Sequence, residues 1–270
     1  MVNGWAYKPA YDKRSTLGYA GIYNLQCICY MNAMLQQFYM TPAFRYGILA
    51  ADDYNKPDYV EKDGRQIDDN VFHQLQRMFA FLDVSHRRDY NPRDFCFSFK
   101  DWSGEPVNVT VQQDTSEFLN MIFDKLENAL KPTPFKGLMD SIYAGNNISM
   151  MRCTNCGYKR TRKEKFLYQS LEVKNLKDIQ EGFEELIKDE VISDYKCANC
   201  GAKCDVIKKN FLNDLPNVMI VHLKRLIFDL EVFMNLKVNS RYSFPQELNV
   251  KKYSLQQFEE DESELNKYKT

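Results

Sequence analysis

Apolar side chains recur at helical spacing in several stretches of the chain. Between Tyr30 and Met40 the positions Met31, Met34, Leu35 and Phe38 share one helical face, which predicts a helix beginning at or just after Cys29. Thr41-Pro42 breaks that pattern, and a second short helix is expected over Ala43 to Ala50. Asp69 to Leu82 predicts another, with Val71, Phe72, Leu75, Met78, Phe79 and Leu82 on its inner face. His73 lies on or beside that face and reads as a helix-packing histidine. The strongest helical pattern starts at Asp114 and runs through Phe118, Leu119, Ile122, Phe123, Leu126 and Leu130, until Pro132 and Pro134 end it. Asp178 to Glu190, with Ile179, Phe183, Leu186 and Ile187, predicts a helix in the second half.

Other stretches follow a period of two or none. Phe95, Phe97 and Phe99 alternate, which predicts a short extended segment. Residues 135 to 148 are expected to enter β structure, with a turn at Asn146-Asn147 beside Gly145. Val218 to Leu223 is almost wholly apolar and predicts a central strand. Ala51 to Gly64 is rich in charges and turn formers and reads as a surface loop. Gln256 to Lys269 is acidic and polar and reads as an unpacked tail. The pattern as a whole is α+β, helical first and β-rich afterwards.

Composition narrows the function classes. A chain of 270 residues with formal net charge −1 has no general attraction for nucleic acid or anionic membranes, so neither is an expected partner. No run is long and apolar enough to span a bilayer, and the N-terminal residues lack the apolar core of a signal peptide. A cytoplasmic or nuclear location is expected. Of the eight cysteines, four form the pairs Cys153/Cys156 and Cys197/Cys200, each followed by glycine. Two such knuckles are the ligand set of a structural tetrahedral zinc ion. Cys204 is a fifth nearby thiol, either a bystander or a substitute ligand. Cys96 reads as a plain thiol.

Two polar sites stand out beside this centre. Cys29 falls where backbone N–H groups and the helix dipole favour an anion such as a thiolate. Asn24, just upstream, could offer an amide to an oxyanion. A structural cysteine opening an amphipathic helix explains the same pattern. Asp114 and Glu117 likewise have the spacing of a helix-capping box, which needs no further role.

The motifs decide between these readings. Asn24, Cys29, Tyr30, Asn32 and Gln36 are spaced as in the cysteine box of the ubiquitin-specific protease family of deubiquitinases, which this chain resembles, most of all its large members. Gln112, Gln113, Asp114, Glu117 and Phe118 resemble its second signature. Leu215-Pro216 with His222 to Arg225, and Lys237, Asn239, Phe244, Pro245 and Leu248, resemble two later blocks. The resemblance implies a papain-like cysteine protease fold. Residues 18–131 would form a helical thumb carrying the cysteine box. Residues 132–253 would form a partial palm with zinc-binding fingers inserted at about 146–214. An extension (1–17) and an acidic polar tail (254–270) would flank them.

The resemblance also implies roles. Cys29 would be the nucleophile and Asn24 the oxyanion donor. Asp114, with Gln113, would hold the arginines of ubiquitin's C-terminal tail. Cys153, Cys156, Cys197 and Cys200 would hold structural Zn2+, and ubiquitin and ubiquitinated proteins would be the partners. The sequence departs from the pattern at Gln26, where the family usually has glycine, and at Ile28, where it has threonine. A left-handed backbone at Gln26 would be strained. The family's Gly-His block is missing after Leu248, and His73, His86 and His222 do not match it, so C-terminal truncation and an exposed sheet edge are expected. The expected function is thiol-dependent hydrolysis of the isopeptide bond at ubiquitin's terminal glycine. The alternative is a catalytically inactive ubiquitin-binding module.

Overall fold

The structure is a computed structural model that describes residues 13–52, 59–62, 64–229 and 233–267. The chain divides into two compact units, Met1–Met139 and Asp140–Thr270. The first twelve residues of the expected N-terminal extension and the last three of the tail lie outside the described residues.

The first unit is mainly helical. Its elements are β1 (Gly21–Ile22), α1 (Cys29–Met40), α2 (Pro42–Ala50), β2 (Tyr59–Lys62), β3 (Arg65–Asp68), α3 (Val71–Val84), β4 (Asp89–Tyr90), α4 (Arg93–Ser98) and α5 (Thr115–Leu130). The apolar faces read from the sequence meet here: Met31, Leu35 and Phe38 of α1, Phe72, Leu75, Met78 and Leu82 of α3, and Phe118, Ile122 and Leu126 of α5 are all buried. Phe38 lies against Phe123, with ring centroids 5.6 Å apart. Helix α3 starts at Asn70, whose side chain accepts from the N–H groups of Phe72 and His73. Just before it, the buried Asp68 carboxylate accepts from His73 Nδ1 at 2.8 Å. His73 is therefore a helix-packing residue, as its position on the α3 face suggests.

Two expectations in this unit are corrected. Phe95 and Phe99 belong to a helical turn, not an extended segment. They stack at 5.9 Å as an i,i+4 pair and are fully buried, while Phe97 is half-buried. Three alternating aromatics fit either period, and Asn91 settles it by accepting from Arg93 N–H at the helix start. The expected 51–64 loop holds strand β2, antiparallel to β3. Gly64 takes the turn between them at φ +72. Residues 53–58 and 63 lie outside the described part.

The division between the units falls within α6 (Leu138–Tyr143). The second unit continues with β5 (Gly145–Cys153), β6 (Lys159–Phe166), β7 (Gln169–Glu172), α7 (Ile179–Leu186), β8 (Glu190–Lys196), β9 (Lys203–Asp214), β10 (Val221–Lys224), β11 (Leu226–Asp229), β12 (Met234–Lys237) and α8 (Leu255–Lys267). An antiparallel sheet in the order β6-β5-β9-β8 dominates it. Strands β7 and β10 pair in parallel, and β11 and β12 form a separate hairpin.

Four sequence expectations are corrected in this unit. Residues 138–143 form helix α6, and β structure starts only at Gly145. Asn146 and Asn147 are not a turn. They lie inside β5, at a register irregularity against β9, and their amides donate to Asp214 at 3.1 Å and Gln169 at 2.9 Å. The apolar run at 218–223 is not a central strand. Only 221–224 pairs, and only with β7 among the described residues. Its apolar character comes from alternate side chains: Met219, Val221 and Leu223 pack against Leu171, Phe183, Leu212 and Tyr253. The acidic tail is largely helical. Ser254 starts α8 by accepting from Gln257 N–H, and Phe258 seats the helix on Phe211 at 5.0 Å.

Gly145 shows how tightly β5 is packed. A Cβ there would lie 2.7 Å from the backbone oxygen of Asp214 and would also strike the Phe166 ring. Gly145→Ala is expected to destabilise the second unit by about 1–3 kcal/mol, the usual cost of overpacking. Denaturant unfolding would measure it, and an unchanged midpoint would contradict this packing.

Candidate active site and metal centre

Cys29 is the first residue of α1 and is exposed. Ile28 precedes it as the helix cap and provides no side-chain hydrogen bond, and the first turn carries no acidic residue. First-turn N–H groups are therefore left for an incoming anion. Ile28 N–H itself donates to Asn24 Oδ1 at 3.3 Å. That bond uses the acceptor end of the Asn24 amide and leaves its Nδ2 as a donor on an exposed loop.

Four further bonds fix this loop. Cys27 N–H donates to Val109 O at 2.8 Å. Asn32, buried on α1, donates from Nδ2 to the carbonyls of Ile22 at 3.5 Å and Tyr23 at 3.3 Å. Gln36 Nε2 donates to Ala20 O at 3.3 Å. The helix that carries Cys29 thus also holds the strand leading into Asn24. Gln26 does not take a left-handed backbone; among the described non-glycine residues only Asn175, Asp194 and Phe233 do. The strain expected from glutamine in place of glycine is absent. Ile28 is fully buried, so the apolar side chain in the usual threonine place fills core.

Gln113 and Asp114 come to the same neighbourhood through Tyr30. The Tyr30 hydroxyl donates to Gln113 Oε1 at 3.3 Å, and its ring meets Phe118 of α5 edge-on at 5.9 Å. Burial, then the nearby Cys96, Cys29 and Glu117, pushes the Tyr30 hydroxyl up to about 12, so it stays protonated and donates at neutral pH. Asp114 caps α5 with Oδ1, which accepts from Ser116 N–H at 2.7 Å and Ser116 Oγ at 2.6 Å. Its carboxylate is exposed. Neither Tyr30 nor Asn32 is a candidate from the sequence reasoning above, although both stand in the cysteine motif.

No described histidine is hydrogen-bonded to Cys29. His73 is held by Asp68, and His222 lies 3.3 Å from Ser170 Oγ on the β10–β7 pair. Cys96 is buried, which pushes its thiol up to about 12 and keeps it unreactive.

In the second unit, Cys153, Cys156, Cys197 and Cys200 place their four sulfurs within 4.8 Å of one another. Cys156 and Cys197 are 3.8 Å apart, the edge of about 3.8 Å expected for a tetrahedron with metal–sulfur bonds of about 2.3 Å. The donor set fits a metal ion held by four thiolates. The two knuckles are built alike. Gly157 and Gly201, both at φ +70, donate to Cys153 O at 3.0 Å and Cys197 O at 2.9 Å. A left-handed glycine closes each turn at no steric cost. Cys153 and Cys197 are buried, and Cys156 and Cys200 are exposed.

A reciprocal contact links the knuckles. Asn155 Nδ2 lies 3.7 Å from Cys200 Sγ, and Asn199 Nδ2 lies 3.7 Å from Cys156 Sγ. The Tyr158 backbone N–H, then the Asn199 amide, pulls Cys156 down to about 6. The Ala202 N–H, then the Asn155 amide, lowers Cys200. Both outer sulfurs are thereby favoured as thiolates. The signal for these asparagines is in the sequence, since both knuckles read Cys-x-Asn-Cys-Gly.

The family model described as ubiquitin carboxyl-terminal hydrolase matches residues 20–269. Ubiquitin carboxyl-terminal hydrolase 24 of Homo sapiens is 31% identical over 262 residues, covering 94% of this chain and 10% of that protein. Ubiquitin carboxyl-terminal hydrolase 9X of Mus musculus is 28% identical over 289 residues, covering 93% of this chain and 11% of that protein. The chain therefore spans about a tenth of the length of these curated relatives. Among solved structures, the SAGA Ubp8/Sgf11/Sus1/Sgf73 DUB module bound to ubiquitin aldehyde matches with a TM-score of 0.71 at 22% identity, covering 88% of this chain and 53% of that one. That likeness supports the α+β protease fold. No described helix is long and apolar enough to cross a membrane.

Proposed function

Because the chain belongs to the ubiquitin carboxyl-terminal hydrolase family, we propose that it is the part of a deubiquitinase that carries the nucleophile and the zinc-binding fingers. The observation that carries this reading is the exposed Cys29 at the open first turn of α1, with Asn24 tied beside it through Ile28. The Cys29 thiolate would attack the carbonyl of ubiquitin's terminal glycine. Asn24 Nδ2 and first-turn N–H groups would hold the resulting oxyanion. As the C–N bond breaks, the isopeptide amine takes up a proton from solvent to replace the one the Cys29 thiol gave up on forming the thiolate, and water then hydrolyses the thioester, freeing ubiquitin and restoring the thiol. Covalent capture, at Cys29, of ubiquitin that bears an electrophilic C-terminus tests this reading. A second reading, a ubiquitin-binding module without turnover, is favoured by the absence of a histidine bonded to Cys29 among the described residues. Binding of ubiquitin without capture at Cys29 would establish it.

Zinc is the metal we assign to the four cysteines. When bound it supplies a cross-link between the two knuckles. With thiolates at all four positions it leaves no place for a reacting water. The eight free thiols suit a reducing compartment, the cytoplasm or nucleus.

Asp114 separates capping from recognition. We propose that its carboxylate, with Gln113 beside it, holds the arginines of ubiquitin's C-terminal tail. Asparagine caps a helix about as well as aspartate. Asp114→Asn should therefore leave thermal stability within about 0.5 kcal/mol and weaken ubiquitin binding by about 1–3 kcal/mol, through loss of the charged partner. Titration with ubiquitin and with ubiquitin lacking its tail checks this. Equal affinity of the unmodified chain for both forms would rule out tail reading by Asp114.

A further inference from the structure

Five sulfurs, not four, converge at one end of the four-stranded sheet. Cys204 Sγ lies 3.3 Å from Cys153 Sγ. It packs with the buried Cys153, Cys197 and Val206, next to Met151, Ile192 and Tyr195. The sheet register accounts for this approach. Cys153, the last residue of β5, is opposite Val206 of β9, and Cys204 stands two residues earlier in β9, on the same face. Across the other side of β9, Cys204 is opposite Tyr195 of β8, and its thiol points to the Tyr195 carbonyl at 3.8 Å.

We propose that Cys204 is an interchangeable ligand of the metal centre, able to take the coordination place of Cys153. The inference rests on the zinc reading above. A four-thiolate tetrahedron keeps its sulfurs about 3.8 Å apart. Cys153 and Cys204 are closer than that, at 3.3 Å, so they compete for one vertex and do not fill two. While Cys153 binds, the Cys204 sulfur rests against the Tyr195 carbonyl. When the Cys153 sulfur is lost, Cys204 gives up its proton to solvent and moves onto the vacated vertex. The exchange is directed to this vertex by the 3.3 Å contact between the Cys204 and Cys153 sulfurs. Cys156 and Cys200 lie in the knuckle turns, beyond the strand ends, each beside an asparagine of the opposite knuckle.

Cobalt(II) reports this directly, because its sulfur-to-metal charge-transfer absorbance grows with the number of bound thiolates. The full chain would be loaded with cobalt as wild type, Cys204→Ser, Cys153→Ser, Cys156→Ser and the Cys153→Ser/Cys204→Ser double variant. Cys204→Ser and Cys153→Ser are both expected to keep the full absorbance and one metal per chain. The double variant and Cys156→Ser are expected to fall to about three quarters, as three thiolates replace four. Equal loss in Cys153→Ser, Cys156→Ser and the double variant would overturn the proposal. A folded wild type that takes up no metal would instead overturn the zinc reading and remove the premise.

If Cys153→Ser does not fold, maleimide labelling of the loaded wild type gives the answer. Exchange releases the Cys153 sulfur part of the time, so Cys153 should react ahead of Cys197, its buried counterpart. Cys204→Ser should slow it to the Cys197 rate. An unchanged Cys153 rate in Cys204→Ser overturns the exchange.

Discussion

Cys29→Ser is expected to abolish covalent capture of ubiquitin that bears an electrophilic C-terminus, whereas Cys27→Ser is expected to retain it. The loss should be on the order of 10^4-fold or more, because an unactivated hydroxyl replaces the sulfur nucleophile. Cys27 is the nearest competitor, two residues away and half-buried, and its N–H is committed to Val109. Cys96 is buried, with its thiol pushed up to about 12, and should not compete at neutral pH. Peptide mapping of the adduct identifies the residue, and an adduct on Cys27, or one that persists in Cys29→Ser, would defeat the assignment. Capture requires only a placed sulfur. Repeated turnover also requires a group to move its proton, and among the described residues no histidine is bonded to Cys29. Slow capture with little hydrolysis is thus the expected pair of results for this chain, and fast hydrolysis would point to a base other than His73, His86 and His222.

The second large effect concerns the knuckles. Cys156→Ser removes an outer ligand and the sulfur that accepts from Asn199. Metal content should fall well below one ion per chain at limiting zinc. Because binding energy at such a centre is folding energy, β5, β6, β8 and β9 should lose several kcal/mol of local stability. Hydrogen exchange would show the loss as faster exchange confined to those strands. The first unit, with its own core of α1, α3 and α5, should keep its protection. If zinc content and exchange both match the unmodified protein, the four cysteines are not a metal site.

Motifs and long amphipathic helices were the legible parts of this sequence. Helices α1, α3 and α5 follow from Leu35, Leu75 and Ile122 and their i±3 and i±4 neighbours, and Asp114 marks the start of α5. The knuckles follow from spacing alone, down to the left-handed glycines. What was misread had an ambiguous period. Phe95, Phe97 and Phe99 fit a strand or a turn of helix, and the Asn91 side chain at its start, with the burial of the first and third together, decides it. The run at 218–223 is apolar because alternate residues enter a cluster with Phe183 and Tyr253, 30 or more residues away in the chain. Helix α8 has few apolar residues, and its placement rests on Phe258 finding Phe211, a long-range contact that no local pattern encodes. At the site, Tyr30 and Asn32 act through partners at Gln113, Ile22 and Tyr23, and those pairings exist only once the chain has folded.

Strand β6 has one further consequence. It is the outermost strand of its sheet, paired with β5 alone among the described residues, and Lys159, Arg160, Arg162, Lys163 and Lys165 stand exposed along it. A bare edge of that length is a template for aggregation, since any extended segment of another molecule could hydrogen-bond onto it. A second copy approaching edge to edge would bring two rows of cations together at strand spacing, about 4.8 Å. Their repulsion opposes that approach, in part offset where Lys163 pairs with Asp214, Lys165 with Asp140 and Arg162 with Glu164, and salt weakens it. With a screening length of about 10 Å at 0.1 M and about 3 Å at 1 M, concentrated salt removes the barrier and leaves the edge open to self-association.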